Sequence, residues 1–141
     1  MADQDVLMGY YSDFAKNDFE TMKKLRFHPD ITWTMPGHHP MSGTMKGADA
    51  VVAFLKKLYT AGIRVDNVHI GVLDDGTLIE RHTGHGHIGQ FEEFIFPTCT
   101  TYCFKDGKIA DVHVHTGDQH NVDRYFWTVF KLKDIPDRLA E

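Results

Sequence analysis

The chain has 141 residues, of which 42% are hydrophobic and 25% are charged, and its formal net charge is −5. A chain of this size buries roughly 70% of its unfolded surface, so we predict a single domain over residues 1–141. Basic residues are scattered among the acids, which argues against nucleic-acid binding. No apolar run approaches the ~20 residues of a membrane span, so we expect no membrane insertion.

The N-terminus and the cysteines bear on the compartment. The opening residues, Met1 to Asp5, are acidic and lack the basic and apolar segments of a signal peptide, so we expect a cytoplasmic protein. Cys99 and Cys103 lie four residues apart in a predicted strand, with Cα atoms roughly 13 Å apart. That separation is too large for a disulfide, so we predict two reduced, half-buried thiols.

The first half of the chain has helical spacing of apolar residues, interrupted by one strand. Asp18 follows a break in the first pattern and is expected to cap the second helix. Gly62 is expected to end the third helix. The predicted elements are, in chain order, a helix at 3–16, a short helix from Asp18 through Leu25, a strand at Ile31–Met35, a loop from Pro36 to near Gly47, and a helix at Ala48–Ala61.

The second half changes to strands and turns. Two turn sequences, Asp74-Asp75-Gly76 and Lys105-Asp106-Gly107, are typical of hairpins. The aromatic tail from Val122 to Leu132 is expected to form a short helix or strap over the sheet. Helices followed by a meander of long strands indicate an α+β fold with helices on one face. The predicted strands cover residues 64–73, 77–88, 93–104 and 108–116.

Several short motifs occur in a characteristic order along the chain. They are Trp33-Thr34-Met35-Pro36-Gly37, the stretch from Pro40 to Gly47 with the helix after it, Asp106-Gly107-Lys108-Ile109, Asp118-Gln119, and Asp123-Arg124-Tyr125-Phe126-Trp127. Together they resemble the SnoaL-like branch of the NTF2-like superfamily. The resemblance implies a cone-shaped α+β fold, in which a curved antiparallel sheet carries N-terminal helices on its concave face around a deep apolar pocket.

That superfamily includes ketosteroid isomerases, polyketide cyclases, epoxide hydrolases, dehydratases and non-catalytic binders, so the fold alone does not settle the activity. Most members work without a metal or an organic cofactor, and many dimerise through the sheet. The resemblance therefore implies no cofactor and a homodimer.

Asp118 is the first catalytic candidate. On the last predicted strand it shares one parity with Val112, Val114 and Thr116, which should face the core. Apolar surroundings would raise its pKa towards general acid–base use. The polyketide cyclases that the sequence resembles use an Asp near the end of a late strand as base. A turn-capping aspartate is the alternative.

Tyr10 is the second candidate. Ketosteroid isomerases have a first-helix tyrosine eight residues before an Asp that resembles Asp18, and Tyr10 has this spacing. Its phenol would donate a hydrogen bond to a developing oxyanion. The proton-shuttling Asp of those isomerases corresponds to Met35 here, and a thioether cannot take a proton. The standard ketosteroid isomerase mechanism is therefore not expected.

His82 is the third candidate, since it shares the parity of Leu78 and would point inward as an acid–base partner. His39 lies in the loop that borders the pocket entrance of this fold, where it either reaches substrate or stays solvated. Core aromatic and apolar residues would line the pocket. The predicted pocket residues are Trp33, Met35, His39, Phe54, Leu58, Phe96 and Tyr102.

Ten histidines raise the question of a metal site. His85 and His87 share one strand face, roughly 6.6 Å apart, which would suit two ligands. His113 and His115 would lie two strands away, at roughly 9.5 Å, too far to share a metal easily. We therefore favour outward-facing histidines and predict no metal.

The sequence thus predicts a cofactor-independent enzyme that transfers protons in an apolar pocket, of isomerase, cyclase, dehydratase or hydratase type. Its partner would be a small, apolar, oxygenated molecule. The alternative is a non-catalytic module of the same fold, which binds a small molecule or mediates dimerisation.

Overall fold

The computed structural model describes residues 2–88 and 92–130. Asp18 caps α2 as predicted, because its carboxylate accepts hydrogen bonds from the Thr21 amide at 3.2 Å and from the Thr21 hydroxyl at 2.7 Å. None of the described helices is long and apolar enough to cross a membrane. The helices are α1 (Asp3–Ala15), α2 (Phe19–Thr21), which continues into a π-helical turn (Met22–Arg26), α3 (Ala48–Thr60) and α4 (Gln119–Val129).

Six strands form one sheet in the order β2-β1-β6-β5-β4-β3. The two predicted hairpins join β3 to β4 and β5 to β6, and β4, β5 and β6 form the predicted meander. The strands are β1 (Phe27–Met35), β2 (Gly43–Lys46), β3 (Arg64–Val72), β4 (Leu78–Ile88), β5 (Glu92–Lys105) and β6 (Lys108–Thr116).

The expectation of a fully antiparallel sheet is wrong at one strand pair. β1 runs parallel to β6, with Trp33 beside Val112, so the sheet is mixed. These two strands are far apart in sequence, and no tight turn between them fixes an antiparallel direction. The α+β architecture itself, a curved and unclosed sheet with helices packed on it, is as expected.

Two local predictions also need correction. β1 begins at Phe27 rather than Ile31, and part of the predicted loop from Pro36 to Gly47 forms β2. Thr44 and Met45 pair with Thr34 and Trp33. The four-residue strand β2 therefore forms the edge of the sheet beside β1, despite its turn-rich sequence. The tail prediction holds for Val122 to Val129, which lie in α4, while residues 131 and 132 are outside the described residues.

The core fills the space between the helices and the concave sheet face. α1 contributes Val6, Leu7, Tyr10 and Phe14, all buried, while α3 packs against β1 and β2. The junction after α2 is held by a largely buried ion pair, in which Arg26 Nε donates to Asp13 Oδ2 at 2.8 Å. A cavity remains between these packed elements.

Candidate active site in the concave cavity

A cavity of about 70 Å³ lies between the concave sheet face and the helices α1, α3 and α4. Its volume is small beside the roughly 300–1,000 Å³ of pockets that enclose drug-sized ligands. The space therefore fits a small molecule or one end of a larger one. Most of its wall is aromatic or aliphatic, which strengthens any electrostatic interaction inside it.

Seven of the ten predicted site residues line this cavity. Tyr10 and His82 are the two catalytic candidates among them, and Met35 lines the cavity as well. The remaining four are pocket residues predicted from the sequence: Trp33, Leu58, Phe96 and Tyr102. Their catalytic or binding roles stay predictions, since the structure fixes only their positions.

The polar centre of the cavity wall is a carboxylate–imidazole pair. Glu80 is 0% exposed, and both of its carboxylate oxygens lie within 2.7–2.9 Å of His82 Nδ1. A carboxylate only accepts, so Nδ1–H is the donor and Nε2 is the ring nitrogen that does not bond Glu80. Among the described residues no hydrogen bond engages Nε2, and His82 lines the cavity. This carboxylate-oriented imidazole is the candidate acid–base group of the site.

Two tyrosine hydroxyls lie beside this pair. Tyr11 from α1 and Tyr102 from β5 have hydroxyl oxygens 2.6 Å apart, and the Tyr11 ring meets the His82 ring edge-on at 6.0 Å. Tyr10 packs beside both, with its ring 4.7 Å from that of Tyr11 and 6.4 Å from that of Tyr102. Burial, reinforced by the nearby Glu80 carboxylate, raises the pKa of all three phenols far above the ordinary value. They are therefore neutral hydrogen-bond donors.

Strand register explains why these groups meet. On β4, Leu78, Glu80 and His82 share the concave parity, because side chains alternate between the two faces of a strand. Across the β4–β5 ladder, Glu80 is opposite Thr100 and His82 is opposite Thr98. The antiparallel pairing thus places a carboxylate and an imidazole among threonine and tyrosine hydroxyls.

Asp118 does not join this group, and the prediction that it faces the pocket is wrong. β6 ends at Thr116, and Asp118 is an exposed residue at the start of α4 with a left-handed backbone of φ 56°. Its carboxylate accepts a hydrogen bond from Asn121 Nδ2 at 2.8 Å. The strand parity does not extend through this turn. Asp118 occupies the N-cap position of α4, but its side chain makes no capping hydrogen bond to the helix backbone.

Two predicted pocket residues lie outside the cavity wall. Phe54 is buried behind Trp33, with ring centroids 6.2 Å apart. His39 is buried in its loop, where Nδ1 accepts from the Met41 amide and Nε2 donates to the Pro36 carbonyl, both at 3.0 Å. Burial lowers the pKa of His39, against the opposing influence of Asp123. Both hydrogen bonds of His39 are made within its own loop, so the side chain stabilises the loop and does not reach the cavity.

The remaining candidate ligands for a metal face outward. His87, His113 and His115 are exposed, as expected from the sequence. His85 is engaged by carboxylates at both ring nitrogens, Asp66 at 2.9 Å and Glu93 at 3.0 Å. Within residues 2–88 and 92–130 no group of three or more metal-ligating side chains comes together. Both cysteines are free thiols. Cys99 is partly buried, but Cys103 is exposed, so the prediction of a half-buried thiol is wrong for Cys103.

Sequence reasoning missed Glu80 and Tyr11. Glu80 lies between Leu78 and His82 and shares their strand parity, which the sequence assigns to the core. The sequence pattern was therefore sufficient to predict that this carboxylate points inward. Tyr11 directly follows the predicted candidate Tyr10 on the same helix. Helical spacing alone does not tell which of the two phenols contributes a hydroxyl to the site. Only the packing of α1 on the sheet shows which phenol reaches Tyr102 on β5.

The family model of the SnoaL-like domain matches residues 8–112. The chain belongs to the SnoaL-like domain family. No curated protein sequence matches it. Its fold is therefore that of the NTF2-like superfamily, and the matched range contains the whole Glu80, His82, Tyr11 and Tyr102 group.

Solved structures agree with this membership. Bal32a, from a soil-derived mobile gene cassette, aligns with a TM-score of 0.81 and 23% identity over 88% of this SnoaL-like chain and 95% of its own. A candidate polyketide cyclase from Xanthomonas campestris has a TM-score of 0.70 and 15% identity, covering 91% and 96%. SalBIII, an epoxide hydrolase/cyclase-like enzyme in pyran ring formation of the polyether salinomycin, has a TM-score of 0.69 and 15% identity, covering 86% and 92%.

Proposed function

We propose that this SnoaL-like protein is a cofactor-independent enzyme that moves a proton next to a carbonyl group of a small, neutral, oxygenated molecule. The observation that carries the proposal is the buried Glu80–His82 pair beside the Tyr11–Tyr102 hydroxyl pair in one apolar cavity. A base and a hydrogen-bond donor at neighbouring positions are the two parts that enolisation requires.

In the proposed reaction, His82 Nε2 removes a proton from the carbon next to the substrate carbonyl. The electron pair of that C–H bond moves to the carbonyl oxygen, which becomes an enolate oxygen held by a hydrogen bond from the Tyr11–Tyr102 pair. Glu80 stabilises the imidazolium that forms, because its carboxylate is fully buried against Nδ1. Burial keeps both phenols protonated, so a donor is present at neutral pH.

The enolate has two natural outcomes. His82 returns the proton to a different carbon, which is isomerisation, or the enolate carbon attacks a second carbonyl of the same molecule, which is cyclisation. The cyclase and cyclase-like structures that share this fold make the second outcome chemically relevant. Met35 supplies no base at the isomerase position, so the proton transfer passes through His82 instead.

The test is deuterium exchange of α-protons in D₂O, followed by ¹H NMR on a panel of neutral ketones that includes cyclohexanone and acetophenone. The wild type should exchange at least one of them faster than buffer, and His82→Gln should lower that rate by about 10²- to 10⁴-fold. His113→Gln is the matched control, since this histidine is exposed on the opposite sheet face.

Equal exchange by wild type and His82→Gln would contradict the proposal. Binding of a ketone without any exchange above buffer would favour the alternative, a small-molecule-binding module of the same fold.

A further inference from the structure

Two residues that line the cavity each carry a buried polar atom without a hydrogen-bond partner in the described part of the chain. The two atoms are Trp33 Nε1 and Thr98 Oγ1. Each residue is only 4% exposed, and both side chains line the cavity. Buried polar side-chain atoms almost always have a partner, so two orphans on one cavity call for an explanation. A ligand that supplies the missing partners is the explanation that their shared position favours.

Their positions flank the proposed chemistry. Thr98 lies directly opposite His82 across the β4–β5 ladder, where facing Cβ atoms are roughly 5 Å apart. The Trp33 ring is 6.3 Å from the Tyr102 ring and 5.8 Å from the Tyr10 ring. One orphan therefore adjoins the base and the other adjoins the phenols.

The chemistry of these groups limits what they bind. An indole N–H only donates, so Trp33 needs an acceptor, whereas the Thr98 hydroxyl donates or accepts. No lysine or arginine is among the described residues that line the cavity, and the Glu80 carboxylate is buried behind His82. An anionic acceptor would lie there without a compensating charge, which is costly in an apolar site. The acceptor is therefore a neutral oxygen.

We propose that the cavity selects a neutral molecule with two separate oxygen functions, and that Trp33 and Thr98 determine this specificity. One oxygen is the carbonyl held by the Tyr11–Tyr102 pair, an assignment that rests on the proposed function. The second oxygen accepts a hydrogen bond from the Trp33 indole N–H. The Thr98 hydroxyl bonds whichever of the two oxygens lies nearer to His82.

Three para-substituted probes test the selection by titration in NMR: 1,4-diacetylbenzene with two neutral oxygens, acetophenone with one, and 4-acetylbenzoate with an anionic end. We expect the diketone to bind about tenfold tighter than acetophenone, of which a factor of two reflects its two equivalent ends. Trp33→Phe should reduce this preference to about twofold. The benzoate should bind at least about tenfold more weakly than the diketone.

Equal affinities for diketone and acetophenone would overturn the inference, as would a preference that survives in Trp33→Phe. Tightest binding of the benzoate, or no binding of any probe at millimolar concentration, would overturn it as well. These readouts need no turnover. Loss of α-proton exchange with an intact probe preference would contradict only the proposed function, and the reverse pattern would contradict only this inference.

A ligand-free measurement supplies a second test. Thr98 faces Thr116 across the β5–β6 ladder, and both line the cavity, but the Thr116 hydroxyl donates to Gln119 Oε1. Thr98→Val should leave the Tm unchanged or raise it, since no hydrogen bond is lost, whereas Thr116→Val should lower it by about 2–5 °C. If Thr98→Val lowers the Tm as much as Thr116→Val, the hydroxyl serves the fold and the inference fails.

Discussion

Glu80 holds His82 by its Nδ1, at 2.7 Å, from a position that water does not reach. The pair comes from one strand, two residues apart, so the backbone of β4 fixes its spacing. This arrangement holds Nδ1 on Glu80 and leaves Nε2 without a hydrogen bond among the described residues. In the proposed reaction Glu80 stabilises the imidazolium.

Glu80→Gln tests this positioning role. The amide keeps the shape of the side chain but removes the negative charge that stabilises the imidazolium. We expect kcat for α-proton exchange to fall by roughly 10²-fold with little change in KM. Steady-state exchange kinetics measure both constants. Glu93→Gln is the control, because Glu93 contacts His85 outside the cavity and should leave kcat unchanged. A rise in KM alone would indicate that Glu80 only shapes the pocket.

The tyrosine pair leads to a separate prediction. Tyr11→Phe and Tyr102→Phe each remove one hydroxyl of the 2.6 Å contact while keeping the ring. Each change should lower kcat by about 10²-fold, the usual effect of losing one oxyanion donor. Tyr59→Phe is the matched control, since Tyr59 lies on α3 outside the cavity wall. Unchanged exchange kinetics in both variants would exclude the pair from the reaction.

The Asp13–Arg26 ion pair should matter for stability rather than activity. Both side chains are largely buried, so Asp13→Asn leaves the Arg26 charge without its partner. We expect the free energy of unfolding in urea to fall by about 3 kcal/mol. Asp49→Asn, which breaks an exposed pair with Lys23, should change it by less than about 1 kcal/mol. Similar losses in the two variants would mean that burial of the first pair has no energetic consequence.

His85 predicts a pH dependence of stability. Hydrogen bonds to Asp66, and then to Glu93, raise its pKa in the folded state. A raised folded pKa stabilises the fold fully below the ordinary histidine pKa, and this stabilisation is lost as the pH rises through the folded value. The wild type should therefore lose more stability between pH 6 and pH 9 than His85→Gln, as followed by thermal unfolding at each pH. His87→Gln, at an exposed position on the same strand, should retain the wild-type loss.

The sequence predicted most of the fold because periodicity and turn residues act locally. The hairpin at Asp74–Gly76 and the cap at Asp18 depend on neighbours a few residues away, and both are present. The parallel pairing of β1 with β6 depends on contacts distant in sequence, which no local pattern specifies. The strand β2 was missed for the same reason, because its turn-rich sequence indicated a loop and only its pairing with β1 makes it a strand.

The residues of the candidate site also differ in how far local sequence patterns predict them. His82 and Tyr10 were predicted because strand parity and a family spacing point to the cavity, whereas Asp118 was misplaced because the chain turns after Thr116. Glu80 was available from parity alone. The Tyr11 contact required the angle at which α1 crosses the sheet, which the sequence does not encode locally.

The most direct test of the central claim is the protonation state of His82 in ¹⁵N NMR, with its signals assigned by their loss in His82→Gln. The structure predicts that the neutral ring carries its proton on Nδ1, facing Glu80, and that adding 1,4-diacetylbenzene shifts the unprotonated Nε2 signal. A proton on Nε2, or an Nε2 signal that saturating probe leaves unchanged, would contradict the assignment of His82 as the base.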